Sequence, residues 1–261
     1  MSRAPQSNPA EEIRNYYAAL SRAWGAQHWW PAETQFEVIV GAYLTQNTAW
    51  ANVEQALAKL RRANLLSVEE IRTVRLSRLQ RLIRPSGYFR QKAARLKTFV
   101  AFLDDKYQGS LPRLFSQPTE KLREELLSLN GIGPETADSI LLYAGNHPVF
   151  VVDAYTRRIL DRHGIVPENT DYEEIRQLFQ ISLEPIAANQ ERGPAEVREP
   201  LDAGIRGAAH PASAMSTAHR TALVQVYNEM HGLIVGVGKN YCRKSKPSCD
   251  DCPLQRFLPG K

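Results

Sequence analysis

One segment constrains this chain more than any other: Leu129-Asn130-Gly131-Ile132-Gly133-Pro134-Glu135-Thr136-Ala137. Apolar residues at helical spacing precede it, from about Pro118 to Leu127, and follow it to about Gly145. Pro134 suits the first position of a helix, where its missing N–H has no intrahelical partner to lose. The two glycines permit backbone angles that a side chain forbids, and they remove bulk that would hold an anion away. The segment predicts two helices joined by a tight turn, with Ile132 as the apolar pin between them. Amides of the turn and the positive end of the second helix would then face a phosphate. A plain helical hairpin with a glycine cap reads the same way, so the turn alone leaves anion binding open.

The rest of the chain is also helical in pattern. Asn8-Pro9 followed by Glu11 and Glu12 is a helix start, with a cap, a proline and acids in the first turn. Thr34 with Glu37, Ser67 with Glu70 and Asp171 with Glu174 have capping-box spacing. Phe36, Val38, Ile39, Ala42 and Tyr43 nearly surround their helix, which predicts a buried one. Val149-Phe150-Val151-Val152 is a short extended run, too short to found a sheet. The fold class is all-α. From about Ala187 to His219 large apolar residues thin out among Ala, Gly, Pro, Glu and Arg, which predicts a mobile surface insertion. A helix then resumes from Thr221 to Val235, with Leu223, Val226, Tyr227, Met230, Leu233 and Ile234 in one stripe.

Composition excludes some classes and inclines toward others. Apolar residues make up 43%, enough for a core, and the net charge of +5 with a pI near 9.1 leans toward polyanions. No run of about 18 apolar residues predicts a membrane span. The polar stretch Met1 to Pro9 lacks the core of a signal peptide, so the expected location is cytoplasmic, and nucleoid-associated in a bacterium. All three cysteines, Cys242, Cys249 and Cys252, fall in one short loop, a pattern of metal binding before disulfides.

After the hairpin comes Val151-Val152-Asp153-Ala154-Tyr155-Thr156-Arg157-Arg158. Hairpin, Gly/Pro-rich loop and aspartate together resemble the signature of the endonuclease III superfamily of DNA glycosylases. The resemblance covers residues 30 to 183 and 221 to 257. It implies two all-α domains with a DNA-binding cleft between them. One is a six-helix barrel of residues 31–147 holding the helix-hairpin-helix at 118–146. The other joins residues 1–30 to 148–261, with the insertion at about 187–219 and a cysteine loop at 242–252. The expected partner is double-stranded DNA containing a damaged base, met by a monomer and with no membrane partner.

Asp153 stands where the superfamily has its catalytic aspartate. Breaking an N-glycosidic bond leaves positive charge on the sugar, and a nearby carboxylate stabilises it and can deprotonate a water. An aspartate capping the helix from Ala154 to Leu160 reads equally well, and both roles can hold together. Bifunctional members carry a lysine in the hairpin that attacks the sugar as an amine. The matching position is Glu135, which cannot form an imine. The resemblance therefore implies a monofunctional enzyme with water as nucleophile.

Trp29-Trp30-Pro31, Leu44-Thr45-Gln46-Asn47-Thr48 and Trp50 resemble the 3-methyladenine DNA glycosylase branch, also described as endonuclease III-related. The resemblance implies a base pocket of Trp29, Trp30 and Trp50, with Glu135 and, late in the chain, Lys239 beside it. A methylated purine is cationic, and an indole face attracts a cation. Buried tryptophans of an ordinary core fit the same residues. Gln46 matches the residue that fills the gap left by a flipped base, or is a buried amide bonded to backbone. Tyr88 and Lys92, in Gly87-Tyr88-Phe89-Arg90-Gln91-Lys92 with Arg95 and Lys97 beyond, resemble the loop that contacts phosphates; a solvated basic face is the alternative. Gly131, Gly133, Thr136 and Arg157 complete the expected DNA contacts. A same-fold glycosylase for oxidised, deaminated or mismatched bases, and a non-catalytic DNA-structure binder, are the competing functions.

Many superfamily members hold a [4Fe–4S] cluster with Cys-x6-Cys-x2-Cys-x5-Cys. Cys242, Cys249 and Cys252 have the first two spacings, but the fourth position is Leu258. A cluster, a zinc ion completed by His219 or His231, and a loop without metal all remain open. Arg243, Lys244 and Lys246 make the loop a candidate DNA contact in each case.

Overall fold

The computed structural model describes residues 8–192 and 210–259, with the side chains of 191 and 192 excepted. Among the described residues the chain is helical and holds no strand. It divides into two compact units, one of residues 32–147 and one of residues 1–31 with 148–261. The chain opens with α1 (Pro9–Trp24). It continues through α2 (Gln35–Thr45), α3 (Trp50–Arg62), α4 (Val68–Thr73) and α5 (Leu76–Leu82). Next come α6 (Phe89–Tyr107), α7 (Leu111–Phe115), α8 (Thr119–Leu127) and α9 (Pro134–Ser139). It ends with α10 (Ala154–Arg162), α11 (Tyr172–Arg192) and α12 (Ala222–Asn240).

The unit of residues 32–147 is built around α2. Thr34 caps it by accepting from the Glu37 N–H at 3.1 Å. Its residues 36–44 are all buried, against α3, α6 and the end of the hairpin. The second hairpin helix departs from a single regular helix: α9 passes into a π turn over Ile140–Ala144, all five residues buried. The hairpin helices α8 and α9 are locked by an ion pair. Arg123 donates from Nε to Asp138 Oδ1 at 2.6 Å and from Nη2 to Oδ2 at 3.2 Å, and the two side chains are 9% and 0% exposed.

In the other unit, α1 buries Ile13, Tyr16, Leu20 and Trp24, one stripe at helical spacing. It packs on α11 and α12, and α12 also packs on α10. The extended residues Val149, Phe150, Val151 and Val152 run through this core, with Phe150 stacked on Phe179 at 4.2 Å. Here the structure corrects the expected insertion of 187–219 at both ends. Residues 187–192 continue α11. Residues 210–219 include packed positions: the His210 N–H donates to the Gln27 carbonyl at 3.2 Å, and Met215 and Ser216 are buried. Residues 193–209, the middle of that segment, lie outside the described residues. The resumed helix also runs past Val235 to Asn240, with Gly236 and Gly238 inside it, and Gly238 lets α10 come close. A Cβ at 238 would stand 2.2 Å from the Tyr155 ring.

Candidate active site and nucleic-acid interface

Asp153 is the N-cap of α10. Its backbone is extended, and its Oδ1 accepts from the Thr156 N–H at 2.7 Å and from the Thr156 hydroxyl at 2.8 Å. The Asp153 N–H in turn donates to Thr156 Oγ1 at 3.4 Å, closing a capping box. Oδ2 faces α12, where His231 Nε2 stands 3.6 Å away. Asp153 is only 9% exposed. Burial pushes its carboxyl up, but His231 and the Thr156 donors outweigh this and hold it below the usual carboxylate range. The helix dipole acts in the same direction. The cap is present, and it leaves a charged oxygen facing away from the helix that it caps.

The indoles of Trp29 and Trp30 belong to the same unit. Their centroids are 5.4 Å apart at 60°, and both are buried, at 6% and 4% exposure. Trp29 also lies 5.3 Å from the His210 ring and 6.5 Å from the His231 ring. These two tryptophans are therefore packed as core residues, and Trp29 neighbours the His231 ring that faces the Asp153 carboxylate. Lys239 does not join them. It is exposed in the last turn of α12, eight residues beyond His231, about 12 Å along the helix axis. Arg157 is not directed outward as a phosphate contact requires. Its guanidinium donates to the carbonyls of Glu168, at 3.4 Å, and Thr170, and braces the loop after α10.

The cysteine loop is held by the arginines of α10. Arg158 donates to the Cys242 carbonyl at 2.7 Å; Arg162 donates to the carbonyls of Arg243 and Lys244 at 2.7 and 2.9 Å. Cys242, Cys249 and Cys252 line one cavity of about 20 Å³, closed by Leu258, His163 and Tyr241 among others. That is room for about one water. Burial, with Cys242 and Cys249 nearby, pushes the Cys252 thiol up to about 11. The expected histidines are elsewhere: His219 is exposed and His231 faces Asp153. His163 lines the cavity, but its Nδ1 pairs with the Tyr16 hydroxyl at 2.7 Å. Among the described residues, no group of three or more Cys, His, Asp or Glu could hold a metal ion. The residues present do not fit a four-ligand cluster. Arg243, Lys244 and Lys246 on the same loop are exposed.

In the unit of residues 32–147, the hairpin turn is braced from below. Gly131 has φ +83°, and a Cβ there would overlap the Arg95 side chain at 2.0 Å. Arg95 donates to Gln46 Oε1 at 2.8 Å. Gln46 Nε2 donates to the Gly131 carbonyl at 2.8 Å and to the Thr136 hydroxyl at 3.0 Å. Gln46 is thus the amide bonded to backbone, tying the end of α2 to the turn. Thr136 is buried beneath it, and Ile132 is buried as the apolar pin. Gly133 has open space where a Cβ would stand, and Glu135 is exposed in the first turn of α9. Trp50 opens α3 and is half-buried.

Lys92 corrects the expectation most sharply. It is 1% exposed, and its ammonium donates to the Leu44 carbonyl at 2.8 Å, the Thr48 hydroxyl at 2.7 Å and the Ser86 carbonyl at 2.7 Å. Burial, helped by the charge of Arg95, brings its pKa down to about 8. A phosphate cannot reach it; its work is to tie the loop at 86–88 to the end of α2. Lys97 likewise donates to the Arg72 carbonyl at 2.9 Å. What the loop does present is Tyr88, 67% exposed with φ 43°, and exposed Arg90. Two features had no local signal in the sequence: the Arg123–Asp138 lock and His231 beside Asp153. The one trace of His231 was a polar residue interrupting the apolar stripe of α12.

Comparison with known proteins bears on what this arrangement belongs to. Residues 40–185 match the HhH-GPD superfamily base excision DNA repair protein family. The Methanocaldococcus jannaschii protein named "Putative DNA repair glycosylase MJ1434" is 40% identical over 98% of this chain and all of its own length. This chain belongs to the HhH-GPD superfamily. Endonuclease III of Thermotoga maritima is 26% identical over 84% of the chain and 80% of its own. The crystal structure of the H. pylori 3-methyladenine DNA glycosylase MagIII, bound to 1,N6-ethenoadenine, superposes with a TM-score of 0.68 at 28% identity. That match covers 89% of this chain and 97% of the other. As an HhH-GPD protein, the chain is a DNA glycosylase of base excision repair and its substrate is DNA.

Proposed function

We propose that this HhH-GPD protein is a monofunctional glycosylase that hydrolyses alkylated, 3-methyladenine-like bases from double-stranded DNA. The observation that carries the reading is Asp153, a carboxylate held ionised at a helix N-terminus and faced by His231, whose ring in turn lies 6.5 Å from the Trp29 indole. The bond between C1′ and the base nitrogen breaks, and its electron pair leaves with the base. A cationic base departs neutral, so no acid has to protonate it. The Asp153 charge stabilises the oxocarbenium-like sugar, and the carboxylate takes the proton of the water that adds to C1′. An indole face attracts a cationic base, and stacking of a base on an aromatic ring is worth roughly 1–3 kcal/mol; Trp29 and Trp30, packed in the core beside His231, would have to open a face to provide it. Glu135 leaves the first turn of α9 without an amine to form an imine. The braced hairpin, exposed Tyr88 and Arg90, and the cations at 243, 244 and 246 are the proposed phosphate contacts. The Helicobacter pylori relative, a 3-methyladenine glycosylase by name, supports the choice of lesion.

The test is a panel of duplexes, each bearing one lesion, with the freed base identified by chromatography. Release of methylated purines, without a borohydride-trapped covalent adduct, is expected. Release confined to uracil, hypoxanthine or oxidised pyrimidines would assign the chain to another lesion. A trapped adduct would make it a lyase.

A further inference from the structure

The two oxygens of Asp153 have different surroundings. Oδ1 is satisfied by its own helix, through both donors of Thr156. Oδ2 is turned to α12 and to His231, 3.6 Å away. The His231 ring is held on several sides. It is buried, edge-on to Trp29 at 6.5 Å and 64°, and edge-on to Phe150 at 6.2 Å and 82°. Phe150 is itself clamped by Phe179. The next residue on α12 is Gly232, and a Cβ there would stand 3.1 Å from the Cβ atoms of Gln27 and Trp29. The missing side chain lets α12 come close to the segment at 27–29, beside which the His231 ring is held. Three segments, at 27–30, 149–153 and α12, thus converge on one imidazole.

We infer that His231 is a positioning residue for the base-release reaction: with its proton on Nε2, it faces Asp153 Oδ2, keeps the carboxylate charged and fixes its orientation. The inference rests on the reading of Asp153 as the reacting carboxylate. The physical need is plain. A carboxyl buried to this degree drifts toward the neutral form, and a neutral Asp153 stabilises no positive sugar. Thr156 satisfies Oδ1 alone, so Oδ2 depends on what α12 brings to it. The groups whose ionisation bears on the site are few among the described residues of this unit. On α10 there is Tyr155, whose phenol burial pushes up and the Asp153 charge pushes further. Also on α10, Arg158 lies 5.1 Å over the Tyr155 ring. The segments at 29–30 and 149–152 contribute aromatic and aliphatic side chains.

The test uses the full chain and two readouts. The first is the carboxyl titration of Asp153, followed by carbon NMR and assigned with Asp153→Asn, which needs no substrate. The second is the single-turnover rate of base release against pH. In His231→Leu the titration midpoint is expected to rise by about one pH unit, and the acid limb of the rate profile to rise with it, while DNA affinity stays put. His231→Gln, whose amide can offer an N–H near the Nε2 position, should restore most of the shift; His231→Asn, shorter, should not. Should His231→Leu fail to fold, the Gln and Asn variants carry the comparison. Equal midpoints in the wild type and in His231→Leu, or in the Gln and Asn variants, would overturn the inference. Full base release by Asp153→Asn would instead remove the reading of Asp153 beneath it, whatever the midpoints show.

Discussion

The Arg123–Asp138 lock makes a quantitative prediction. The pair joins α8 to α9 across the hairpin through two hydrogen bonds, with neither partner appreciably exposed. Asp138→Leu leaves a buried guanidinium without its carboxylate, and Arg123→Met leaves a buried carboxylate without its guanidinium. Each stranded charge is expected to cost about 3–5 kcal/mol, the range for breaking one side of a buried pair. Over a chain of this size that lowers the melting temperature by roughly 6–20 °C. The double variant removes both charges and should be more stable than either single one, close to the wild type. Circular dichroism melts of the four proteins measure the cycle. A double variant as unstable as the two single costs added together would refute the reasoning, since the two side chains would then act independently.

Other parts of the hairpin can be probed more simply. Gly131→Ala places a side chain at φ +83° and into Arg95, so it should cost at least about 1–2 kcal/mol and weaken DNA binding as the turn shifts; an unchanged melt would deny the overlap. Lys92→Met should lower the melting temperature yet leave the salt slope of DNA binding unaltered, because the ammonium is enclosed; a slope reduced by about one unit would restore it as a phosphate contact. A chelator should leave the melting curve unchanged, and fresh protein should lack the visible absorbance of a cluster, because the loop brings three thiols and, at the fourth position, Leu258, which cannot ligate. A brown protein that bleaches with loss of stability would refute that.

The sequence alone was enough for most features that depend on residues a few positions apart, the π turn at Ile140–Ala144 excepted. The caps at Asn8, Thr34 and Ser67 are formed, although Glu37 does not close the box at Thr34 but accepts from the Glu33 N–H and from Arg61, and Asp153 is both a cap and a buried carboxylate. The glycine turn, its pin at Ile132 and the helices on either side were legible for the same reason: backbone sterics and helical periodicity act within one or two turns. The fate of long polar side chains was not legible. Lys92, Arg95 and Arg157 look alike in sequence, as basic residues near a DNA-binding motif. Each turns inward because segments 11 to 49 residues away bring it a carbonyl or an amide. His231 met Asp153 across 78 residues of sequence for the same reason. Whether a charged group faces solvent or another segment depends on which acceptors the packed core delivers to it, and only the assembled helices decide that.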